Sequence, residues 1–197
     1  MRAPEFSPSS KRFTYVSTIE PRKRHQTVLD AFERLWSQGR DVELMFIGKA
    51  GTEAAERLDR LARLAEVDTR FSWYKECNDA QLRELVTSSR ATIFASEAEG
   101  FGLPPLESLA LGVPVIAPER LPSLSMLPRF GQVRLETVSA AAIAEAVCAL
   151  LDDEFAARKF AEIKELEVPT WRGLSEFLHH AIAKSSDICG GTRSRGQ

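Results

Sequence analysis

The stretch Ser96-Glu97-Ala98-Glu99-Gly100-Phe101-Gly102-Leu103-Pro104-Pro105-Leu106-Glu107-Ser108-Leu109-Ala110 decides how the chain is read. An apolar run, Ala91 to Ala95, leads into it. A helix-like run, Leu106 to Leu111, leads out, and Gly112-Val113-Pro114-Val115-Ile116-Ala117 follows. The order is strand, glycine loop, helix, strand. Two glycines flank Phe101, so the backbone can turn sharply and approach a ligand closely. Pro104 and Pro105 suit a first helical turn, where a missing N–H costs nothing. Free N–H groups at a helix start can receive an anion or an electron-rich oxygen. Glu99 and Glu107, eight positions apart, bracket the loop. Either acid alone is ordinary surface charge. Here they frame a glycine loop at the carboxyl end of a buried-type strand, where open parallel sheets bind ligands, and so become candidate site residues.

The pattern repeats on both sides of this stretch. Arg12 to Ser17, rich in β-branched and aromatic residues, predicts a first strand. Val28, Leu29, Phe32, Leu35 and Trp36 recur at helical spacing and predict an amphipathic helix ending near Gly39. Val42 to Ile47 is a second buried-type strand, closed by the turn Gly48-Lys49-Ala50-Gly51-Thr52. A second helix runs through Leu58, Leu61, Ala62 and Ala65, and Arg70 to Tyr74 is a short third strand. Asn78 or Asp79 caps a third helix through Leu82, Leu85 and Val86. Ala91 to Ala95 is the fourth strand, Val113 to Ala117 the fifth, and Gln132 to Leu135 a short edge strand. Helices follow around Ala140–Leu151, Glu154–Leu166 and Leu174–Ala183. Strands alternating with helices imply an α/β domain, a parallel sheet with right-handed crossovers.

With 197 residues the chain has room for one good-sized domain. We expect a flexible N-terminal segment at 1–10, a domain at 11–184 and a flexible tail at 185–197. A net charge of −2 gives no global reason to expect nucleic acid or a membrane surface as partner. No apolar run approaches the ~20 residues of a membrane span, and the N-terminus lacks an apolar signal core. Cys77, Cys148 and Cys189 are far apart and form no zinc spacing or disulfide framework, which makes a reducing compartment the default. There is no Gly-x4-Gly-Lys-Ser/Thr phosphate loop, no Gly-x-Ser-x-Gly elbow and no Asp-x-Asp pair. His25 reads as structural, and the adjacent His179 and His180 as surface residues rather than ligands. Arg22, Lys23 and Arg24 sit where a helix begins, an unfavourable place for cations. A bound anion would reverse this, because cations and free N–H groups would then face negative charge together.

Two of these segments resemble a known family. Glu99-Gly-Phe-Gly-Leu-Pro-Pro-Leu-Glu107, followed by Ser-Leu-Ala-x-Gly-x-Pro-Val, resembles the donor-site motif of retaining GT-B glycosyltransferases. The likeness is to glycosyltransferase family 4 (group 1), which includes many bacterial mannosyltransferases. Thr18-Ile19-Glu20-Pro21-Arg22-Lys23 resembles the first loop of the same domain. The resemblance runs from about Phe13 to Ala183 and covers only the C-terminal half of such enzymes. It implies a Rossmann-like parallel sheet with helices on both faces, a single GT-B C-terminal-type domain. The implied reaction moves a hexose, with mannose on GDP the leading reading, from a nucleoside diphosphate to an acceptor hydroxyl with retention.

The resemblance also implies roles. Arg22 and Lys23 would clamp the diphosphate and neutralise charge growing on the leaving group. Some relatives carry a further arginine where Ser17 stands. Glu99 would lie near the donor sugar and the reaction centre. The amides of Gly100, Phe101, Gly102 and Leu103 would contact sugar hydroxyls and phosphate, and Glu107 would accept hydrogen bonds from the ribose. Gly48, Lys49 and Gly51 resemble a second glycine loop, with a plain surface lysine the alternative at Lys49. Tyr74 and Lys75 lie where relatives hold the base, largely through backbone. No metal or other cofactor is expected. The implied partners are a GDP-, UDP- or ADP-linked sugar, an acceptor glycan or lipid-linked saccharide, and an N-terminal GT-B domain. The implied location is the cytoplasm or the periphery of the inner membrane. Two other readings stay open: a non-catalytic nucleotide-sugar-binding subunit, and a structural domain partnering a separate N-terminal half.

Overall fold

The computed structural model describes residues 5–51, 55–96 and 100–168. Glu99, the expected helix Leu174–Ala183, His179, His180, Cys189 and the tail expected at 185–197 lie outside the described residues. By their contacts, Met1–Leu166 form one unit and Glu167–Gln197 group separately.

Within the first unit the order is β1 (Arg12–Val16), α1 (His25–Ser37), β2 (Glu43–Ile47), α2 (Ala55–Val67) and β3 (Phe71–Tyr74). Then come α3 (Asp79–Thr87), β4 (Ala91–Ile93), α4 (Leu103–Ala110), β5 (Val115–Pro118), α5 (Pro122–Ser125) and β6 (Gln132–Leu135). The helices α6 (Ala140–Leu151) and α7 (Asp153–Ile163) close the unit. The six strands form one sheet in the order β3-β2-β1-β4-β5-β6, and every pairing is parallel. This is the α/β, Rossmann-like architecture expected from the alternation.

The local causes are those read from the sequence. Leu44, Met45, Phe46 and Ile47 are buried in succession, which a strand achieves only when both sheet faces are covered. Val28, Leu29, Phe32, Leu35 and Trp36 are all buried on α1, each worth roughly 1.5–3 kcal/mol of transfer free energy. The Trp36 indole N–H donates to the Val42 carbonyl at 2.7 Å and fixes the turn between α1 and β2. Asn78 caps α3 in a reciprocal box with Gln81.

Boundaries move where glycine or proline acts. α4 begins at Leu103, three residues before the apolar run, because Gly102 turns the chain at φ 84° and the prolines fall in the first turn. β5 starts at Val115 rather than Val113. The Val113 N–H closes the α4 turn onto the Ser108 carbonyl at 3.0 Å instead of joining the ladder. α7 ends at Ile163, and Lys164 to Leu166 wind off through tight turns back to Ala161, Glu162 and Ile163.

Residues 5–10, part of the N-terminal segment expected to be flexible, make contacts with the domain. The Phe6 ring is 5.7 Å from that of Phe160, and the Ser10 hydroxyl donates to the Ser88 carbonyl at 2.8 Å. Arg90 organises this end of the sheet. Its side chain is 1% exposed, its Nε donates to the Leu150 carbonyl, and its Nη1 reaches the carbonyls of Pro8 and Ser10. Nη2 pairs with Asp153, and the guanidinium lies 5.0 Å from the Phe6 ring centre. Removing the guanidinium would strand several carbonyls and a carboxylate at once. Arg90→Met is expected to lower stability by about 3 kcal/mol, read as a fall in urea midpoint with m unchanged.

Candidate functional site

The sheet order reverses direction at the β1–β4 pair, and the loops leaving the carboxyl ends of those two strands diverge to opposite sides. The first loop runs from Ser17 to Arg24, the second from Phe94 to Gly102. The Ser96 hydroxyl donates to the Arg22 carbonyl at 3.4 Å and ties them together. The basic segment and the glycine loop therefore share one rim of the sheet.

The first loop prolongs the β1–β2 pairing. The Ser17 N–H donates to the Ile47 carbonyl and the Ile19 N–H to the Lys49 carbonyl, both at 2.9 Å. This close approach is what demands glycine at 48. Gly48 sits at φ 147°, and a Cβ there would lie 2.1 Å from the Ser17 carbonyl oxygen. Its glycine requirement thus has a protein cause.

The chain then makes a single 3-10 turn, Pro21–Lys23, and α1 begins at His25. Tyr15, buried in β1, donates its hydroxyl to the Lys23 carbonyl and sets that turn from below. Arg24 joins turn to helix at φ 57°, ψ 32°, the left-handed region that disfavours a branched chain. Arg22, exposed, donates from Nε to Glu20 at 2.8 Å. Lys23 is half-buried.

His25 closes the floor. It is 5% exposed, stacks on Tyr15 at 4.6 Å between ring centres and meets Phe46 edge-on at 5.0 Å. Neither ring nitrogen has a hydrogen-bond partner among the described residues. Burial lowers its pKa to about 4; the nearby backbone of Glu20 and Ser17 opposes the shift, and the Lys23 charge adds to it. His25 is structural, as the sequence suggested, and neutral at pH 7.

The glycine loop is held from its far side. The Ser123 N–H donates to the Phe101 carbonyl at 3.1 Å and its hydroxyl to the Gly102 carbonyl at 2.7 Å. Gly102 at φ 84° leaves no room for a Cβ, which would meet the Leu121 side chain at 2.7 Å. Among the described residues no acceptor is paired with the amides of Gly100, Phe101, Gly102 or Leu103. Phe101 and Leu103 are partly exposed beside them.

Two cavities open along this rim. One, about 430 Å³, lies between α3 and α4, with Glu107, Thr92, Phe94, Asp79 and Arg83 on its walls. The other, about 580 Å³, lies over the ends of β1, β2 and β3, with Ser17, Gly48, Lys49, Lys75 and Asn78. Val16 and Leu82 line both, so they adjoin. Lys49 pairs with Glu76 at 3.3 Å, a solvated pair of little energetic weight. Lys75 lies 4.8 Å from the Trp73 ring centre, and Tyr74 accepts through its carbonyl from Gly48 N–H at 2.9 Å.

The structure thus joins Gly48, Lys49 and Lys75 around one cavity and places Glu107 in its neighbour. Arg22 and Lys23 stand on the loop tied to Ser96. Ser96, Ser123 and Arg83 were not singled out from sequence, and Asp79 reads there only as an alternative helix cap. Nothing in their local pattern marks a serine that binds a loop 21 residues away or a helix face that borders a cavity.

Three comparisons place the chain among known proteins. Residues 1–166 match the family model described as glycosyl transferases group 1. A serotype-specific mannosyltransferase WbdA of Escherichia coli is 41% identical over 104 residues, 53% of this chain and 13% of the relative. An O-antigen chain mannosyltransferase B of Escherichia coli is 36% identical over 106 residues, 52% of this chain and 27% of the relative. The match therefore spans well under a third of these relatives' length. Among solved structures, S. aureus TarM in complex with fondaparinux, alpha-GlcNAc-glycerol and UDP superposes with a TM-score of 0.74 at 17% identity, over 91% of this chain and 37% of TarM. Anabaena HepE in complex with UDP and glucose gives 0.69 at 15% identity, over 88% of this chain and 48% of HepE. At such identities the likeness is one of fold.

Two predictions follow from the floor of this site. His25 is harder to protonate folded than unfolded, so its contribution is complete above about pH 6.5 and is lost as pH falls towards 4, a decline of up to about 3 kcal/mol. In His25→Phe the stability of the folded chain is expected to lose that slope, measured by urea melts at pH 7, 5.5 and 4.5. Arg24→Asn places a residue tolerant of the left-handed region at φ 57° and is expected to raise stability by up to about 1 kcal/mol, seen as a higher melting temperature.

Proposed function

The chain belongs to the glycosyl transferases group 1 family, and from that membership we propose that it is the donor-binding domain of a retaining glycosyltransferase. It takes a nucleoside-diphosphate hexose and presents the sugar to an acceptor hydroxyl. GDP-mannose is the leading donor, a choice that the mannosyltransferase relatives support. The observation that carries this reading is the Ser96–Arg22 contact at the point where the strand order reverses. It sets cations and unpaired loop amides on one rim, the arrangement a pyrophosphate needs.

The residues divide the work. The amides of Gly100, Phe101, Gly102 and Leu103 take phosphate and sugar oxygens. Lys23 and Arg22 offset the negative charge that develops on the departing nucleoside diphosphate. Glu107, on the wall of the cavity between α3 and α4, accepts two vicinal ribose hydroxyls, and Tyr74 and Lys75 at the end of β3 hold the base, largely through backbone. Lys49, Lys75 and Gly48 border the adjoining cavity, and Glu99 belongs at the reacting carbon. The bond from C1 to the phosphate oxygen breaks as the acceptor oxygen bonds to C1 on the same face. The acceptor proton passes to the phosphate. The protein's share is positioning and electrostatics, with no carboxylate nucleophile and no metal assigned. The acceptor, a glycan or lipid-linked saccharide, comes with an N-terminal GT-B half, in the cytoplasm or at the inner membrane. The chain by itself binds donor and turns over little.

Titration calorimetry of the chain with GDP, UDP and ADP tests this. One of the three, GDP foremost, is expected to bind. Glu107→Ala, removing charge-assisted hydrogen bonds of about 1.5–3 kcal/mol, should weaken binding at least tenfold, and Lys23→Ala should weaken the diphosphate more than the nucleoside. Failure of all three nucleotides to bind would leave only a structural role for the domain.

A further inference from the structure

We infer that Ser123 is a positioning residue for the donor: it aims two amides of the glycine loop without touching the ligand. The inference rests on the donor-binding reading above and names the group that organises its phosphate contacts.

The argument is one of peptide geometry. In a trans peptide the carbonyl and the following N–H are coplanar and point in opposite directions. The described backbone contains no cis bond. The Phe101 carbonyl therefore fixes the direction of the Gly102 N–H, and the Gly102 carbonyl that of the Leu103 N–H. Ser123 takes both carbonyls, one through its N–H at 3.1 Å and one through its hydroxyl at 2.7 Å. Each amide must then point away from α5. These two amides are left without an acceptor among the described residues, and both belong to the set proposed to hold phosphate.

Ser123 is itself braced. It is 1% exposed, and Leu121, one turn-residue before Pro122, packs its side chain against Gly102. Arg134, on the edge strand β6, donates to the carbonyls of Leu124 at 2.8 Å, Glu119 at 3.1 Å and Pro118 at 3.3 Å. Its Nε reaches Gln132 at 2.7 Å, and Gln132 in turn donates to the Pro128 carbonyl at 2.9 Å. One guanidinium thus spans both ends of the turn that carries Ser123. The line runs from edge strand to α5, from α5 to two carbonyls, and from those carbonyls to two outward amides. A serine is suited to its end because the hydroxyl adds a second donor on the same residue as the backbone N–H.

The test separates orientation from folding and from donor identity. Backbone ¹⁵N relaxation of Gly102 and Leu103 is measured in the wild type, Ser123→Ala and Ser123→Thr, with GDP and guanosine titrations of each. In Ser123→Ala, which keeps the backbone N–H on the Phe101 carbonyl but loses the hydroxyl on the Gly102 carbonyl, the order parameter of the Leu103 amide is expected to fall, that of Gly102 to change less, GDP affinity to drop about tenfold and guanosine affinity to stay put. Ser123→Thr, which keeps the hydroxyl, should restore the order parameter and the GDP affinity. If Ser123→Ala does not fold, Ser123→Cys, a weak donor of similar size, replaces it with the same expectation. Unchanged order parameters in the alanine or cysteine variant would overturn the inference, as would equal losses for GDP and guanosine. A wild type that binds none of GDP, UDP or ADP overturns the donor reading instead, and the order parameters alone then decide whether Ser123 aims the amides.

Discussion

The pairing of β1 with β4 is the constraint on which the rest depends. It is a short seam, Phe13 beside Ala91 and Thr14 beside Thr92, yet it joins the two halves of the sheet. Both ends of the seam are pinned. At the base, the Arg90 N–H donates to the Arg12 carbonyl at 2.7 Å while the Arg90 side chain gathers the N-terminal segment, α6 and α7. Midway, Thr14 shares a hydrogen bond with Ser89. At the top, Ser96 reaches Arg22. Parallel strands send their carboxyl ends to one rim, so the seam brings the loop after β1 and the loop after β4 side by side although they are some 70 residues apart. Were β4 to pair elsewhere, the basic turn and the glycine loop would be parted.

The glycines of the rim show two demands meeting. Gly48 is required by the Ser17 backbone that crosses it, and Gly102 by both its φ and the Leu121 side chain. Gly100 differs: among the described residues a Cβ there would meet no atom within 4 Å. Its freedom is not needed by the protein's own packing. A sequence reader sees a single type of residue in all three places. Only neighbours tell which glycine accommodates the fold and which leaves space at the open rim.

That distinction explains what was legible. Strand and helix identities came through because burial on two sheet faces writes continuous apolar runs, and burial on one helix face writes a period of 3.6. The cap of α3 was legible to within one residue, Asn78 or Asp79, because a cap is local; the structure settles on Asn78 and adds Gln81 as its partner. The six-strand order was legible as a class, since alternation and right-handed crossovers leave few arrangements. The ends were less so: Val113 looks like strand but is taken by the Ser108 carbonyl. The site was half legible. Arg22, Lys23 and Glu107 stand in stretches whose composition is unusual, whereas Ser96, Ser123 and Arg90 act through partners tens of residues away. Serine is common, and no spacing distinguishes one that holds a loop. Asp79 reads only as a possible cap of α3, and its place on a cavity wall with Arg83 shows once α4 is laid beside that helix.

The electrostatics of the rim complete the argument. α1 has no acid in its first turn, and three cations, Arg22, Lys23 and Arg24, precede or open it. A helix start already carries partial positive charge, so the free domain tolerates like charges together. Arg24 adds backbone strain at φ 57°, and His25 beneath is kept neutral partly by the Lys23 charge. The strain at Arg24 lowers stability, while Arg22 pairs with Glu20 at 2.8 Å. On the donor-binding reading proposed above, an anion docked there relieves the repulsion and gains the loop amides together, so binding and stability are linked.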